Sequence, residues 1–99
     1  MKITDHLYMF TISDRFSIEK RGTVVVPGIP HSLREPVIRR GAELILRTPL
    51  GDILETYLKE IGMINYRPGG KRLEASPILL PDLHKFDIPI GTEVYLRQT

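Results

Sequence analysis

The stretch that decides the fold is Phe16-Ser17-Ile18-Glu19-Lys20-Arg21-Gly22-Thr23-Val24-Val25-Val26. Its last four residues are β-branched, and such side chains favour pleated structure because their χ1 angles are restricted. The charged residues before them are typical of a solvated bend, and Gly22 permits backbone angles that other residues resist. The stretch therefore predicts a strand end, a tight reversal and a buried strand, with which a β-barrel or sandwich begins.

Length and composition indicate one small domain over residues 1–99. A chain of 99 residues can bury a single modest core. Its eight prolines and eight glycines predict many turns, which short strands require. The chain has no cysteine, which excludes disulfides and thiolate chemistry and fits a cytoplasmic location.

Charge and hydropathy argue against two classes of protein. The chain has 14 basic and 12 acidic residues and a net charge of +2, whereas a general duplex-binding protein usually has a larger, clustered excess of cations. No apolar run approaches the roughly 20 residues of a membrane-spanning helix. No apolar signal segment follows Met1. We therefore expect no membrane association.

Further strands are predicted where apolar runs are bounded by turn residues. Ser13-Asp14-Arg15 predicts a polar break. Pro27-Gly28 followed by Pro30 predicts the end of a strand, because proline cannot donate to a ladder. Connections are expected over residues 31–41 and 65–76. The predicted strands are residues 6–12, 23–28, 43–47, 77–80 and 92–97, with a short extended piece at 16–18.

Residues 52–61 fit two structures. Asp52 with Glu55 resembles a capping box, and Gly62 would end a helix. Alternation instead places apolar residues on one face of a strand, with Glu60 against the pattern. Local pattern alone favours the helix. The residues at helical spacing are Leu50, Ile53, Leu54, Tyr57, Leu58 and Ile61.

Four blocks that cover most of the chain carry a resemblance. They are Ile12-Ser13-Asp14-Arg15-Phe16-Ser17-Ile18 with Arg21-Gly22-Thr23-Val24-Val25; Ile38-Arg39-Arg40-Gly41-Ala42-Glu43-Leu44; Thr56-Tyr57-Leu58-Lys59-Glu60-Ile61-Gly62-Met63; and Ile78-Leu79-Leu80 with Asp87-Ile88-Pro89-Ile90-Gly91-Thr92. In this order they resemble the second domain of elongation factor Tu and its relatives. That domain is the β-barrel that follows the GTPase domain in translational GTPases.

The resemblance implies a fold and a role. The fold is all-β, a closed six- or seven-stranded antiparallel Greek-key barrel, in which residues 52–66 are extended, so we predict a strand there. The family's barrel helps to hold the aminoacylated 3′ end of tRNA, and by resemblance that role falls on Ser13, Asp14, Phe16 and Ile18. The chain lacks the phosphate loop Gly-x-x-x-x-Gly-Lys-Ser/Thr, so we expect no nucleotide site of its own.

The same residues also have structural explanations, which we favour. Phe16 and Ile18 would be core residues, and Asp14 would form a turn by bonding local backbone. Arg21 would clamp a phosphate or carboxylate bidentately, or form a surface ion pair with Glu19 or Asp14. Of these two roles for Arg21, the ion pair is the one we predict.

A basic loop offers a second RNA contact. Tyr66 lies beside Arg67, Lys71 and Arg72 in sequence, so that an aromatic ring for stacking accompanies cations for phosphates. A solvated loop is the alternative, and it is favoured because the net charge is modest. RNA binding therefore stays the second of two binding hypotheses.

No motif indicates catalysis or a metal site. His6, His31 and His84 are far apart, and the chain has no cysteine to complete a ligand set. Neither Ser32 nor Ser76 lies in a nucleophile motif. We therefore predict a non-catalytic binding module without cofactor or metal, which binds a protein partner or a second copy of itself. RNA binding is the alternative, and an enzyme on a borrowed barrel is a further one.

Overall fold

The computed structural model describes residues 5–33, 36–62, 75–81 and 83–98. This part of the chain forms eight strands and a short 3-10 helix, Lys85–Asp87. None of its helices has the length and apolar character to cross a membrane. The strands are β1 (Leu7–Thr11), β2 (Asp14–Ile18), β3 (Gly22–Pro30), β4 (Glu43–Arg47), β5 (Ile53–Tyr57), β6 (Glu60–Ile61), β7 (Ala75–Leu80) and β8 (Glu93–Leu96).

The strands form two four-stranded sheets. The first sheet has the order β1-β8-β4-β5, and the second has the order β2-β3-β7-β6. Every pairing between neighbours is antiparallel. The predicted all-β antiparallel class is therefore confirmed. The described residues contain eight strands instead of the six or seven expected, and neither sheet closes on itself.

The chain passes directly from the first sheet to the second between β1 and β2. The Ile12 N–H donates to the Thr92 carbonyl beside the first sheet, at 2.8 Å. The next residue, Ser13, donates to the Val26 carbonyl of the second sheet at 2.9 Å. Two adjacent residues thus bond to different sheets.

A second crossing lies between β5 and β6. The Leu58 N–H donates to the Ala42 carbonyl next to β4, and the Lys59 N–H donates to the Leu79 carbonyl of β7, both at 2.9 Å. The backbone groups remain hydrogen-bonded through the crossing, as buried or half-buried backbone requires. The two crossings tie the sheets together at opposite edges of each sheet.

The hydrophobic core lies between the sheets. Its members come from the inner faces of both sheets and from the two crossings, where Ile12 and Leu58 are almost fully buried. The buried hydroxyl of Thr92 donates to the Pro89 carbonyl at 2.6 Å, so that its burial leaves no unpaired donor. The central cluster is Met9, Phe10, Ile12, Val25, Ile29, Leu44, Leu46, Leu58, Ile78, Leu80, Ile88, Val94 and Leu96.

Residues 53–57 and 60–61 are strands, which confirms the extended prediction against the helical spacing. The remainder of the predicted strand, residues 63–66, lies outside the described residues. The apparent helical spacing has a physical origin. Leu54 and Leu58 point inward on the first sheet, and Ile61 packs on the core from the second, so the crossing shifts the phase of the alternation.

Three predicted boundaries were wrong. β7 begins at Ala75, inside the connection predicted over residues 65–76. The expected break at residues 13–15 is largely strand, because β2 begins at Asp14. The strand predicted to end at Gly28 continues to Pro30, which pairs with Ala75. The ladder between β3 and β7 is interrupted between Val25 and Ile29, at the cis Val26–Pro27 bond, and then resumes. The prolines therefore interrupt the pairing instead of ending it.

Gly22 and Gly28 allow the close approach of β3 and β7. Both have positive φ, +131° at Gly22 and +100° at Gly28. A Cβ at Gly22 would overlap the Leu80 carbonyl, and one at Gly28 would overlap the Ser76 carbonyl. Neither position can hold a larger residue unless the two strands separate.

Replacing Gly22 with alanine should lower the free energy of unfolding by about 2 kcal/mol or more, since steric overlap with backbone adds to the strain of positive φ. Gly41→Ala is the matched control, because Gly41 has φ +90° but nothing within 4 Å of an added Cβ. It should cost only about 1 kcal/mol, from the backbone strain alone. Urea denaturation measures both, and equal losses would contradict the steric role of Gly22.

Candidate binding surface on strand β2

Strand β2 presents three of the predicted site residues on one face. Strand side chains alternate, so Asp14, Phe16 and Ile18 lie on the same side of β2. Phe16 is 52% exposed and Ile18 is 39% exposed. The favoured prediction that both are core residues was therefore wrong. Phe16 is directly opposite Val24, whereas the residues on either side of Val24 are buried in the core. The Phe16 side chain therefore lies with Val24 on the outer face of the second sheet.

An apolar row crosses this outer face. Phe16 of β2 is opposite Val24 of β3, Val24 is opposite Leu79 of β7, and Leu79 is opposite Glu60 of β6. Leu79 is only 5% exposed although it lies outside the central cluster, and Val24 is half-buried. Directly opposite side chains in a sheet are in contact range. Phe16 thus extends a packed apolar row into solvent, and Ile18 lies two residues further along the same face, opposite Gly22.

The other face of β2 holds the 3-10 helix against the free edge of the strand. The Arg15 Nε donates to the carbonyls of Lys85 and Ile88, at 3.1 and 2.9 Å. The Ser17 hydroxyl accepts from the Lys85 N–H at 2.9 Å. The Arg15 N–H, which faces this edge, donates to the Asp14 carboxylate at 2.8 Å. The edge is therefore covered by side chains and not by another strand.

A second exposed aromatic ring lies beside β2. Phe86 belongs to the 3-10 helix and is 75% exposed. Arg15 and Ser17 hold this helix at β2 through Lys85 and Ile88, the residues that flank Phe86 and Asp87. The Phe86 ring stacks at a tilt on His84, with centroids 4.8 Å apart, and the Lys85 ammonium is 5.3 Å from the ring centre.

Ser13 and Asp14 have local bonding roles. The Ser13 hydroxyl donates to the Val26 carbonyl at 3.3 Å, next to the bond made by its own N–H. Asp14 bonds local backbone, as expected, but it does so within β2 and not in a turn, which corrects that part of the prediction. Both residues are exposed at the end of β2 that follows the crossing.

Arg21 forms an ion pair, but with a different partner from the one predicted. Its guanidinium contacts the Glu60 carboxylate at 2.9 Å, and neither Glu19 nor Asp14. The Lys59 ammonium donates to the Arg21 carbonyl at 3.1 Å. Glu60 belongs to β6, so the pair bridges the strands on either side of β7 and ends the apolar row with charge. More than half of the Arg21 side chain is exposed, so the pair contributes about 0–1 kcal/mol.

A groove of about 640 Å³ lies at this end of the second sheet. The β2–β3 turn forms one wall, and Lys59, Leu83 and His84 form the other. The basic residues Lys20, Arg21 and Lys59 share the groove with Glu19 and Asp87, so its charge is mixed. The described residues hold no cluster of three metal-ligating side chains.

The outer face of the first sheet carries a buried tyrosine next to a carboxylate. Tyr95 is buried there, and its hydroxyl donates to the Glu93 carboxylate at 3.3 Å. Burial raises the pKa of Tyr95, and the nearby Glu93 carboxylate raises it further. The phenol therefore stays neutral near pH 7 and remains a hydrogen-bond donor.

The structure does not bring all the predicted residues together. Ser13, Asp14, Phe16 and Ile18 share β2 or its start, and Arg21 lies just past the turn, where its N–H donates to the Ile18 carbonyl at 3.0 Å. The basic-loop residues of the prediction lie outside the described part of the chain. They are Tyr66, Arg67, Lys71 and Arg72.

Sequence reasoning missed two contributors to this surface. Phe86 has no predicted role, although an aromatic residue between charged neighbours is a detectable sign of exposure. Arg15 was treated as part of a polar break. Its bonds to residues 70 and 73 positions further along the chain leave no local signal.

No protein-family model matches the chain, and the comparison with curated proteins finds no match either.

Replacing Arg15 with methionine should lower the free energy of unfolding by about 2 kcal/mol. The variant keeps the apolar stem but loses the single Nε–H of a charged donor, which is shared between two backbone carbonyls. Arg40→Met, at an exposed position before Gly41, is the matched control and should change stability by about 0.5 kcal/mol or less. Equal urea midpoints for the two variants would show that Arg15 does not secure the 3-10 helix.

Proposed function

We propose that the chain is a non-catalytic protein-binding module and that the outer face of β2 is its binding surface. The observation that carries the proposal is the exposure of Phe16 and Ile18 on one strand face, with Phe16 at the end of a packed apolar row. Aromatic side chains are over-represented among the residues that dominate protein interfaces. The partner expected here has an apolar patch that covers Phe16 and polar groups around it.

The surface is suited to a protein partner by its surroundings as well as its centre. Apolar area removed from water contributes about 25 cal/mol per Å², so covering two half-exposed apolar side chains is favourable. Asp14 precedes Phe16 on this face of β2, and the Arg21–Glu60 pair ends the apolar row at β6, which gives an apolar centre with charge at its rim. An apolar centre with a polar rim is typical of interfaces.

We also propose that the two sheets act as one barrel of the translation-factor second-domain type. The support is the pair of crossings: if residues 7–18 count as one strand and residues 53–61 as another, the eight strands reduce to six. Each long strand would pair with the first sheet through one half and with the second sheet through the other, so both sheets would form one antiparallel ring although the outer edge of β5 itself stays unpaired among the described residues. The resemblance of the four sequence blocks points to the same architecture.

RNA binding is the second candidate, and one observation favours it. Phe16 of β2 and Phe86 of the 3-10 helix that contacts β2 are both exposed aromatic rings, and such rings can stack on bases. The nearby cations support it less. Arg21 is paired with Glu60, Lys59 donates to a carbonyl, and Glu19 and Asp87 line the same groove. We therefore propose protein binding first.

The test is site-specific photocrosslinking in the cells that naturally make the protein. A benzophenone side chain at position 16 should give one or more discrete protein adducts under light, because position 16 lies at the centre of the proposed surface. The same group at position 40 is the control for random contacts. Adding Ile18→Asp to the position-16 protein should reduce the adduct at least tenfold, while this exposed change alters stability by about 1 kcal/mol or less.

Three results would overturn the proposal. Adducts of equal yield at positions 16 and 40 would show non-specific contact, and no adduct at position 16 would remove the surface. An adduct at position 16 that ribonuclease destroys would assign the surface to RNA. In that case fluorescence anisotropy with charged and uncharged tRNA across a salt series would measure the new function.

A further inference from the structure

β5 is an edge strand, and its outer edge has no partner among the described residues. It pairs with β4 on one side and ends the order of the first sheet. The backbone hydrogen bonds found near it, Leu58 to Ala42 and Thr48 to Asp52, both extend the β4 ladder. β2, the edge strand of the other sheet, is covered by the 3-10 helix, so the two edges differ.

The hydrogen-bonding pattern between β4 and β5 determines which backbone N–H and C=O groups of β5 point away from β4. Ladder bonds in an antiparallel pair occur at every second residue. The bonds at Leu58 and at Asp52 therefore assign Leu54 and Thr56 to the side facing β4. The N–H and C=O groups of Ile53, Glu55 and Tyr57 point away from β4.

Side-chain burial independently indicates that the inner face of the first sheet is incompletely covered beside β5. Leu54 and Thr56 are on the inner face, opposite Leu46 and Leu44 of β4. Leu46 and Leu44 are 0% and 1% exposed, whereas Leu54 and Thr56 are only half-buried. Inner-face positions that remain half-exposed lack a neighbour, within the described part of the chain, on the side away from β4. A further strand at this edge would supply that neighbour.

The outer face of β5 is apolar at its ends and acidic at its centre. Ile53 is 51% exposed and Tyr57 is 45% exposed, and Glu55 lies between them. Arg97 contacts both Glu55 and Glu43, at 3.6 and 3.5 Å, so one cation serves two carboxylates. Among the described residues, these two carboxylates and one guanidinium leave a net negative charge beside the centre of β5, which favours a cation on an adjacent strand.

We propose that β5 binds an extended segment of a partner polypeptide, which adds to the first sheet as a fifth strand. Only a peptide backbone offers alternating donors and acceptors at the spacing of Ile53, Glu55 and Tyr57. The segment has apolar side chains over Leu54 and Thr56, and a lysine or arginine opposite Glu55 on the outer face.

A second copy of this chain fits the edge less well. If β5 paired with its own copy in the register that uses all five residues, Glu55 would face Glu55 of the copy, and like charges directly opposite are destabilising. The occupant is therefore a different polypeptide. This surface belongs to the other sheet from β2, so the inference is independent of the function proposed for Phe16 and Ile18.

The probe is a displayed library of random ten-residue peptides, selected on the intact protein with Glu55→Pro as the counter-target. Proline blocks an outward N–H, while the ladder to β4 keeps its bonds. Enriched peptides should alternate apolar residues and contain a central cation. A synthetic copy should bind at least tenfold more weakly to Glu55→Pro. On binding, the amides of Ile53, Glu55 and Tyr57 should become protected from hydrogen exchange.

If Glu55→Pro does not fold, a second pair of changes tests the inference by reversing the charge at position 55 and then the charge on the peptide. Glu55→Lys keeps every backbone donor and should weaken the cationic peptide at least threefold, and a peptide with glutamate in place of the cation should recover binding to it. Glu19→Lys, in the turn of the other sheet, is the control and should leave the affinity unchanged. The inference would be overturned if no alternating peptide is enriched. It would also be overturned if Glu55→Pro and Glu55→Lys bind the selected peptide as tightly as the unchanged protein does.

Discussion

The close contact between β3 and β7 is the constraint on which the rest of the structure depends. At both ends of their pairing a glycine of β3 lies against a carbonyl of β7, Gly22 against Leu80 and Gly28 against Ser76. Because neither site accepts a side chain, the register between the strands is set at two separated points. That register directs Thr23 and Val25 into the core and Val24 outward. It thereby decides which face of β2 reaches solvent.

The strands themselves were largely predictable, because β-branched runs and turn residues act locally. The side of each strand that is buried was not. Alternation divides β2 into two sets, and the apolar set, with Phe16 and Ile18, is the natural choice for the core. The structure instead turns Arg15 and Ser17 toward the 3-10 helix, about 70 residues away. The polar set, Arg15 and Ser17, is covered because this distant segment packs against it.

Local sequence patterns were misleading at two further places for a related reason. One is the helical spacing of residues 50–61, and the other is the set of charges close to Arg21 in sequence. Where a strand passes between sheets, its alternation shifts, so the inward residues Leu54, Leu58 and Ile61 fall at the intervals of a helix. The same crossing brings Glu60 next to β7 and within reach of Arg21. A local charge pattern predicts partners in the same turn, and it contains no information about a strand 39 positions further on.

Two of the four edge strands, β2 and β5, differ in how their edges are covered, and that contrast bears on function. At β2 the backbone edge is occupied, by the Asp14 carboxylate and by the helix that Arg15 and Ser17 hold, so only its side chains remain available for binding. At β5 the described part of the chain offers the edge no cover, and the inner residues beside it are only half-buried. Exposed edges invite unwanted pairing, and proteins usually block them. The acidic centre of β5 opposes self-pairing while it leaves the backbone groups accessible, so the edge discriminates between partners without being closed.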